Sequence, residues 1–384
     1  MTRKDDVSLT VLVAHPSAEL YGSDRVLLET VQGLREQGAD VVVALPATGP
    51  LVAEIRARGG VVELCPTPVV RKDILRPMGA LRFLGDAARG VVSGLRLLWR
   101  TRPDVVFVNT QTVPLWVVLG RLSGRRVVCH IHEGERSAPA FLRRLLAAPV
   151  LLAHQVIVNS RFSLDVLAGS FSSLPGKATV IYNGIIGPEH PAAAREHLSG
   201  TLRLLYVGRL SPRKGPAVAL AALSILVERG VDARLDLVGS VYPGYEWFSD
   251  ELSAQVHADP GLRDRVTFHG FVPDVWPHVA HSDIVIVPSR FDEPFGNTAV
   301  EAVLAMRPAV VSATSGLLEA AAGYDAVRSV EPGQDAALAD AVCAITDDWA
   351  RYRDAAVADS ARARERHAPL TYRTDIAHLV ARPA

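Results

Sequence analysis

The chain has 384 residues, of which 49% are hydrophobic and 21% are charged, and its formal net charge at pH 7 is zero. A chain of this length is too long to fold around one hydrophobic core of ordinary size, so it predicts two domains. The balanced charge gives no reason to expect a nucleic-acid partner. Residues 1–183 nevertheless carry 22 Lys and Arg against 15 Asp and Glu, a net +7 that leaves −7 for the remainder, which favours anionic ligands or a membrane surface for the first half unless it reflects Arg-rich composition alone.

The first half alternates short β-branched runs with amphipathic stretches. The first run, "LTVLVAHP", is followed by "GSDRVLLETVQGLREQG", in which Val26, Leu27, Val31 and Leu34 share one helical face before Gly38. Further predicted strands are "DVVVALP", "VVELCP", "DVVFVNT", "RVVCHIH", "QVIVNS" and "ATVIYNG". Buried strands separated by helices predict βαβ units and a parallel sheet that is covered on both faces.

The pattern pauses near residues 185–200 and then begins again. The predicted strands are "LRLLYVG", "ARLDLVG", "RVTFHG", "DIVIVPS" and "PAVVSAT", with helices at about 216–229, 246–258 and 298–305. We therefore expect an N-terminal domain over residues 1–190 and a C-terminal domain over 191–366, with a terminal helix at 367–384 packing back on the first. Two doubly wound domains of this kind would face each other across a cleft, and ligands bind at the carboxyl ends of their strands.

The second domain opens with "YVGRLSPRKGP", in which Arg209 and Lys214 follow a strand and precede a helix. Two cations beside a helix N-terminus can bind a diphosphate. A solvated basic loop is an equally good interpretation of this segment taken alone.

The segment "PSRFDEPFGNTAVE" also follows a strand and leads into a helix. Asn297 or Thr298 is predicted to cap that helix, which leaves amides from Phe295 onward to face an anion. Glu293 and Glu301 can each accept hydrogen bonds from vicinal hydroxyls. Acidic residues near a helix N-terminus explain Glu301 without a ligand, but not Glu293.

These segments together resemble the retaining glycosyltransferases of family 4, which have the two-domain GT-B fold. The resemblance rests on two glutamates separated by seven residues in "EPFGNTAVE", on "GRLSPRKG", and on three weaker matches, "YGSDRVLLE", "HGFVPD" and "SGLLEA". It extends over most of the chain, and the order and spacing of the matches are more specific than any single one.

The resemblance implies a role for each matching position. Arg209 and Lys214 would bind the donor diphosphate, Glu301 the ribose, and Glu293 the transferred sugar. The backbone around Phe271 and Val272 would meet the base. The amides of four residues would help to hold the sugar and phosphates: Phe295, Gly296, Asn297 and Thr298.

The segment "VVCHIHEGE" places His130 and His132 on the same side of a predicted strand. The family has a catalytic histidine here, and "IHE" aligns with it better than "CHI" does, so we favour His132, while a packed structural histidine remains the interpretation of His130. On the acceptor side, Gly22 allows close approach of a loop, although the family more often has two adjacent small residues there. Asn109 is a further acceptor-side residue, unless it only ends its strand in a turn.

The sequence contains no Asp-x-Asp motif, no Walker loop and no GxSxG elbow, so we expect neither a metal nor another cofactor. Its three separated cysteines indicate a reducing compartment. With no apolar run of spanning length and no signal-peptide pattern, we expect a cytoplasmic protein. Arg82, Arg89 and Arg96 form a stripe beside Trp99, which fits either a core-covering helix or one lying on anionic lipid.

The predicted activity is transfer of a sugar from a UDP- or GDP-sugar to an acceptor hydroxyl with retention, in bacterial glycoconjugate, polysaccharide or glycosylated-metabolite synthesis. The acceptor is undetermined and could be lipid-linked, with peripheral membrane contact. The alternatives are a sugar-nucleotide epimerase or phosphorylase on the same fold, and a nucleotide-sugar-binding protein without catalysis. The base, the sugar and the linkage depend on a few contacts that the sequence does not identify.

Overall fold

The computed structural model describes residues 8–70, 77–242 and 244–382. The chain forms two compact units, the first comprising Met1–Gly184 and Pro369–Ala384 and the second Ile185–Ala368. The boundaries predicted from the sequence, after residues 190 and 366, lie a few residues from these.

The first unit is built on a seven-stranded sheet in which every paired strand is parallel, with the order β3-β2-β1-β4-β5-β6-β7. The strands are Thr10–Ala14 (β1), Asp40–Leu45 (β2), Val61–Leu64 (β3), Val105–Val108 (β4), Arg126–Ile131 (β5), Gln155–Val158 (β6) and Ala178–Val180 (β7). Its helices are Gly22–Glu36 (α1), Leu51–Ala57 (α2), Pro77–Thr101 (α3), Pro114–Leu122 (α4), Ala140–Ala147 (α5) and Arg161–Ser170 (α6), with short 3-10 turns at Ala148–Leu152 and Pro175–Lys177. The central strands are fully buried because helices cover both faces.

The last helix of the chain, Pro369–Ala381 (α14), belongs to the first unit and packs on α1. The hydroxyl of Tyr372 lies 2.7 Å from that of Thr30, and both side chains are buried. At Gly33 the two helices approach so closely that a Cβ would stand 2.8 Å from the backbone of Arg373. Only glycine allows this contact, which closes the core on that face of the sheet.

The second unit has a six-stranded parallel sheet with the order β10-β9-β8-β11-β12-β13. The strands are Leu202–Val207 (β8), Ala233–Val238 (β9), Val266–Gly270 (β10), Ile284–Val287 (β11), Ala309–Ser312 (β12) and Val327–Val330 (β13). The helices are Pro216–Glu228 (α7), Glu246–Ala258 (α8), Trp276–His281 (α9), Asn297–Leu304 (α10), Ser315–Ala321 (α11), Asp335–Asp347 (α12) and Trp349–Arg366 (α13). None of the helices in the described parts of the chain combines the length and apolarity needed to cross a bilayer.

Both sheets reverse their strand order at one point, which is between β1 and β4 in the first unit and between β8 and β11 in the second. The loops that leave neighbouring strands at such a point diverge to opposite faces and leave a crevice where ligands bind. The residues that directly follow these four strands therefore define where a functional site is expected in each unit.

Candidate functional site

In the second unit, the loops after β8 and β11 are joined by a buried ion pair. The Nζ of Lys214 lies 2.8 Å from Oε2 of Glu293, and the hydroxyl of Ser289 donates to Oε1 at 2.9 Å. The side chain of Glu293 is 6% exposed, whereas that of Lys214 is 30% exposed. The carboxylate is therefore held inside the unit, while the cation keeps access to its surface.

A close backbone contact fixes the loop that carries Lys214. Gly215 has a left-handed conformation with φ +71°, and a Cβ at this position would stand 2.0 Å from the carbonyl oxygen of Pro288, just after β11. The amide of Arg290 also donates to the carbonyl of Arg213 at 2.9 Å. These contacts need glycine at 215 and bring the two strand ends together.

Two further arginines lie in the same loop as Lys214. Arg213 donates to the carbonyl of Asp292 at 2.6 Å, and its Nη1 lies 3.7 Å from Oε1 of Glu293. Arg209 stacks its guanidinium over the ring of Tyr242, 4.9 Å from the centroid, and its carbonyl accepts a hydrogen bond from buried Tyr206 at 2.8 Å. The loop after β8 thus carries three cations, of which Lys214 and Arg213 lie beside the carboxylate of Glu293, and this is an arrangement suited to a polyanion.

The predicted cap of α10 is wrong. The helix begins at Asn297 and its N-cap residue is Gly296, which has no side chain, so neither Asn297 nor Thr298 occupies the capping position. The hydroxyl of Thr298 instead points back to the carbonyl of Val207, at 3.4 Å. A Cβ on Gly296 would stand 2.6 Å from Leu317, so packing against α11 accounts for glycine at this position.

The other predicted donor residues lie in α10, in the loop before it and directly after β10. Glu301 lies half-buried in α10, just over one turn from its start, and Phe295 is buried with its ring 5.7 Å from that of His367. Phe271 and Val272 follow β10, where Phe271 is 40% exposed and Val272 packs on the core beneath β11. The amide of Gly316 donates to the carbonyl of Glu293 at 2.9 Å, which ties this loop to α11.

In the first unit, four polar side chains form a continuous hydrogen-bonded chain across the ends of β1, β4 and β5. Nε2 of His15 lies 2.7 Å from Oδ1 of Asp24, and Nδ1 of His15 lies 3.1 Å from Nδ2 of Asn109. Oδ1 of Asn109 then lies 3.0 Å from Nε2 of His132. Three of the four residues are buried, and His132, at the end of the chain, is partly exposed. Predicted Gly22 is the exposed first residue of α1, the helix that carries Asp24.

Burial controls the charges of this chain. It lowers the pKa of His132 to about 3, with the neighbouring His15 as a second and smaller cause, so the His132 ring is neutral at physiological pH. Burial also raises the pKa of Asp24, but hydrogen bonds from His15, Ser17 and the amide of Tyr21 outweigh it and hold that pKa below its ordinary value. The chain therefore has one fixed anion at its inner end and a neutral imidazole at its outer end.

His130 and Glu133 flank His132 and differ from it. His130 is completely buried against the His132 ring, 3.9 Å between centroids, and neither of its ring nitrogens has a hydrogen-bond partner among the described residues. Burial, with the neighbouring His132, drives its pKa well below the ordinary value. Burial raises the pKa of Glu133, which accepts hydrogen bonds from the hydroxyl of Thr110 and the amide of Gln111. Of the two histidines, only His132 combines a polar partner with exposure.

The sequence interpretation missed five residues that the structure brings into these clusters. They are His15, Asp24 and Glu133 in the first unit, and Arg213 and Ser289 in the second. Four of the five lie within the loops that directly follow β1, β5, β8 and β11, and position relative to those strand ends was a signal that could have found them.

In the described ranges, no three His, Cys, Asp or Glu side chains lie close enough together to hold a metal ion. Cys65 and Cys129 are buried, and burial raises the pKa of Cys129 to about 12. Such thiols are small hydrophobic side chains and not nucleophiles.

Two parallel doubly wound α/β units, each with polar groups at its topological switch point, define a protein of two-unit Rossmann-like architecture. The family comparisons are more specific. Residues 21–186 match the model described as Glycosyltransferase Family 4, and residues 201–348 match Glycosyl transferases group 1, which together take in most of the chain. The chain belongs to this glycosyltransferase family and has its GT-B fold.

Individual relatives agree with this assignment. Glycogen synthase of Mycobacterium tuberculosis is 36% identical over 259 residues, which are 64% of this chain and 61% of that protein. D-inositol 3-phosphate glycosyltransferase 1 of Catenulispora acidiphila is 28% identical over 89% of this chain and 87% of its own length. The crystal structure of Anabaena HepE in complex with UDP and glucose superimposes with a TM-score of 0.81 at 22% identity, covering 98% of this chain and 100% of that chain.

Proposed function

We propose that the protein is a retaining, metal-independent glycosyltransferase that moves a hexosyl group from a UDP- or GDP-sugar to an acceptor hydroxyl. The observation that carries the proposal is the ion pair of Lys214 and Glu293 at the switch point of the second unit, with Arg213 beside it and Arg209 on the same loop. HepE holds UDP and glucose in its crystal structure, which supports a nucleoside diphosphate sugar as donor.

Stabilising the charge that develops on the departing diphosphate is the main electrostatic task in this reaction. An ammonium has three donors, and the Nζ of Lys214 gives one of them to Glu293, so the others remain for phosphate oxygens. Arg209 offers a planar fork on a ring that fixes its orientation. Cations held in place before the reaction stabilise the charge that develops on the leaving group without reorganising, which is the role a divalent metal would otherwise fill.

The carboxylate of Glu293 has two functions in this proposal. It orients Lys214, and its oxygens, each with one partner from the protein, retain lone pairs for hydroxyls of the transferred sugar. Glu301 would bind the ribose, and amides around Phe295 to Thr298 would hold the sugar and phosphates, as the family resemblance implies. His132 would act at the transferred sugar as a neutral ring, since its pKa of about 3 keeps it uncharged.

Donor binding and turnover test this function. Nucleoside diphosphate sugars are screened by thermal shift with 1 mM EDTA present, and we expect one base to raise the melting temperature. Lys214→Met and Arg209→Ala should abolish that shift, whereas Arg229→Ala, an exposed arginine paired with Asp340, should keep it. A requirement for a divalent cation would contradict the metal-independent mechanism.

The competing activities are separated by their products. With the donor alone an epimerase yields an epimeric sugar nucleotide, and with added phosphate a phosphorylase yields a sugar phosphate. Either product at the rate of the transfer reaction would replace the transferase proposal. A binding protein without catalysis would show the thermal shift but no turnover with any acceptor.

We also propose that the acceptor is lipid-linked and that α3 contacts an anionic membrane surface. Val92, Leu95 and Trp99 lie on the outer face of α3 and are 49%, 44% and 75% exposed. Arg89 and Arg96 are exposed beside them, on the same turns of the helix. Exposed aromatic and aliphatic side chains next to arginines are the features of a helix that lies in the interface of an anionic bilayer. Arg82, the third arginine of the predicted stripe, has a side chain outside the described set.

Vesicle sedimentation tests this surface. The full chain should bind vesicles that contain phosphatidylglycerol and not vesicles of phosphatidylcholine alone, and Trp99→Ala should weaken binding several-fold. Trp247→Ala, which removes a tryptophan 53% exposed in the second unit, is the matched control and should bind normally. Equal binding by the two variants would refute a role for α3.

A further inference from the structure

The buried chain of Asp24, His15, Asn109 and His132 has a direction that follows from its donors and acceptors. An ionised carboxylate only accepts hydrogen bonds, so Nε2 of His15 must donate to Asp24. Nδ1 of His15 faces the amide nitrogen of Asn109, which can only donate, so Nδ1 accepts. The Asn109 oxygen is left facing Nε2 of His132, which must carry a hydrogen to donate.

We propose that Asp24, acting through His15 and Asn109, is a positioning residue that fixes the tautomer of His132 with the hydrogen on Nε2 and Nδ1 as an acceptor. The two terminal residues of this chain are 108 positions apart, and only the amide of Asn109 connects the two rings. With Nδ1 of His15 as an acceptor, each remaining group in the chain has only one assignment that satisfies its neighbours. The charge at one end therefore decides which nitrogen is unprotonated at the other.

The consequence for the reaction rests on the proposed function. An unprotonated Nδ1 accepts a hydrogen bond from a substrate hydroxyl, whereas an Nδ1 that carries hydrogen would donate instead. Because a hydroxyl can both donate and accept, the tautomer decides which of the two the substrate hydroxyl does and where its own hydrogen points. Fixing the tautomer before substrate binds sets this direction in advance.

Asp24→Asn is expected to invert the whole chain. The amide of Tyr21 at the start of α1 donates to Oδ2 of Asp24 at 2.9 Å, and an asparagine would keep its oxygen there. Its NH₂ group would then face Nε2 of His15, which would become an acceptor and move its hydrogen to Nδ1. Asn109 must turn its oxygen toward His15 and its NH₂ toward His132, so that Nδ1 of His132 carries the hydrogen.

A second substitution should restore the original tautomer. In Asp24→Asn, Asn109→Asp the carboxylate at 109 accepts from Nδ1 of His15 and from Nε2 of His132 at once. His132 thereby regains its hydrogen on Nε2, and the total charge of the chain is unchanged. A role of Asp24 in stability alone would not produce this rescue.

The direct measurement is the ring nitrogen NMR spectrum of the full chain labelled at its 12 histidines, with His132 assigned through His132→Gln. We expect hydrogen on Nε2 of His132 in the native chain and in the double variant, and on Nδ1 in Asp24→Asn. Asp104→Asn is the matched control and should leave His132 unchanged. Asp104 accepts a hydrogen bond from the amide of Thr10 at the amino ends of β1 and β4, away from the carboxyl ends where His132 lies.

The kinetic measurement is kcat/KM for sugar transfer, which should fall at least about tenfold in Asp24→Asn and recover in the double variant. A native His132 with hydrogen on Nδ1, or the same tautomer in native and Asp24→Asn chains, would overturn the inference. The native spectrum needs no variant, so an Asp24→Asn chain that failed to fold would still leave that decision in place. Because the spectrum requires no turnover, failure of the proposed transferase function would leave the test intact.

Discussion

Removing Lys214 should destabilise the second unit more than removing the charge of its partner Glu293. The Glu293 side chain is 6% exposed and that of Lys214 is 30% exposed, although their charged atoms are only 2.8 Å apart. Lys214→Met strands a carboxylate that cannot reach water, and such a loss costs about 3 to 5 kcal/mol. Arg213, at 3.7 Å and itself 43% exposed, compensates only in part, so we expect about 3 kcal/mol.

Glu293→Gln leaves a different residue behind. Lys214 can turn toward solvent, and glutamine retains an oxygen for the Ser289 hydroxyl at the position of Oε1. We therefore expect a cost of about 1 kcal/mol. The double variant should cost little more than Glu293→Gln alone, which gives a coupling energy of about 3 kcal/mol between the two sites.

Urea unfolding of the full chain, followed by tryptophan fluorescence, measures all four corners of this cycle at pH 7.5. Arg229→Met, which breaks an exposed pair with Asp340 at the similar distance of 2.7 Å, should leave the unfolding midpoint essentially unchanged. A larger cost for Glu293→Gln than for Lys214→Met, or a double variant whose cost is the sum of the two single costs, would contradict the expected asymmetry of this ion pair. Thermal-shift responses to the donor should be lost in all three variants, whatever their stability.

Three other substitutions test parts of the structure that position these sites. Gly215→Ala should cost about 2 to 4 kcal/mol in urea unfolding, because its Cβ would clash with the carbonyl of Pro288, whereas Gly230→Ala, at φ +83° in open space, should cost about 1 kcal/mol. Arg307→Met should cost about 3 to 5 kcal/mol, since its buried guanidinium donates hydrogen bonds to the carbonyl of Ala192 and to carbonyls of α9. The pKa of His132 is about 3 in the folded chain and 6.5 in the unfolded chain, so the unfolded state takes up a proton first as the pH falls. The free energy of unfolding is therefore unaffected above pH 6.5 and decreases progressively as the pH falls toward 3. His132→Gln should therefore remove about 2 kcal/mol of the stability loss between pH 7.5 and 5.

Parallel-sheet strands with continuous apolar cores could be predicted from the sequence, but the edge strand β13 could not. β11, with the sequence IVIV, is buried throughout, and periodicity alone identifies such a segment. β13, with the sequence VRSV, lies at the sheet edge and exposes Arg328 and Ser329, so it lacks both an apolar run and a clean alternation. α13 was also missed, since it packs through small and polar residues such as Ala356, Asp359 and Ser360.

The predicted site residues follow the same division. Arg209, Lys214 and Glu293 stand out because charged side chains directly after buried strands are unusual in a sequence pattern. The cap of α10 was mispredicted because Gly296 is placed by its contact with Leu317 on α11, a tertiary constraint that local preference does not contain. The chain from Asp24 to His132 joins loops after three different strands, so no spacing rule could assemble it.

The net charge of zero for the whole chain hides two differently charged halves, and we assign a different electrostatic function to each. The proposed diphosphate site, with Arg209, Arg213 and Lys214, lies in the half of the chain that has a net charge of −7. A site of this kind depends on a few cations fixed within hydrogen-bonding distance, and distant surface charges are screened within about 10 Å at 0.1 M salt. The excess of +7 in the first half includes exposed Arg89 and Arg96 on α3, where many weak contacts add up over a surface. A charge excess of this sort suits an anionic lipid surface better than a single nucleotide. Its effect should weaken with salt, while donor binding by buried Glu293 and its half-buried partner Lys214 should change less.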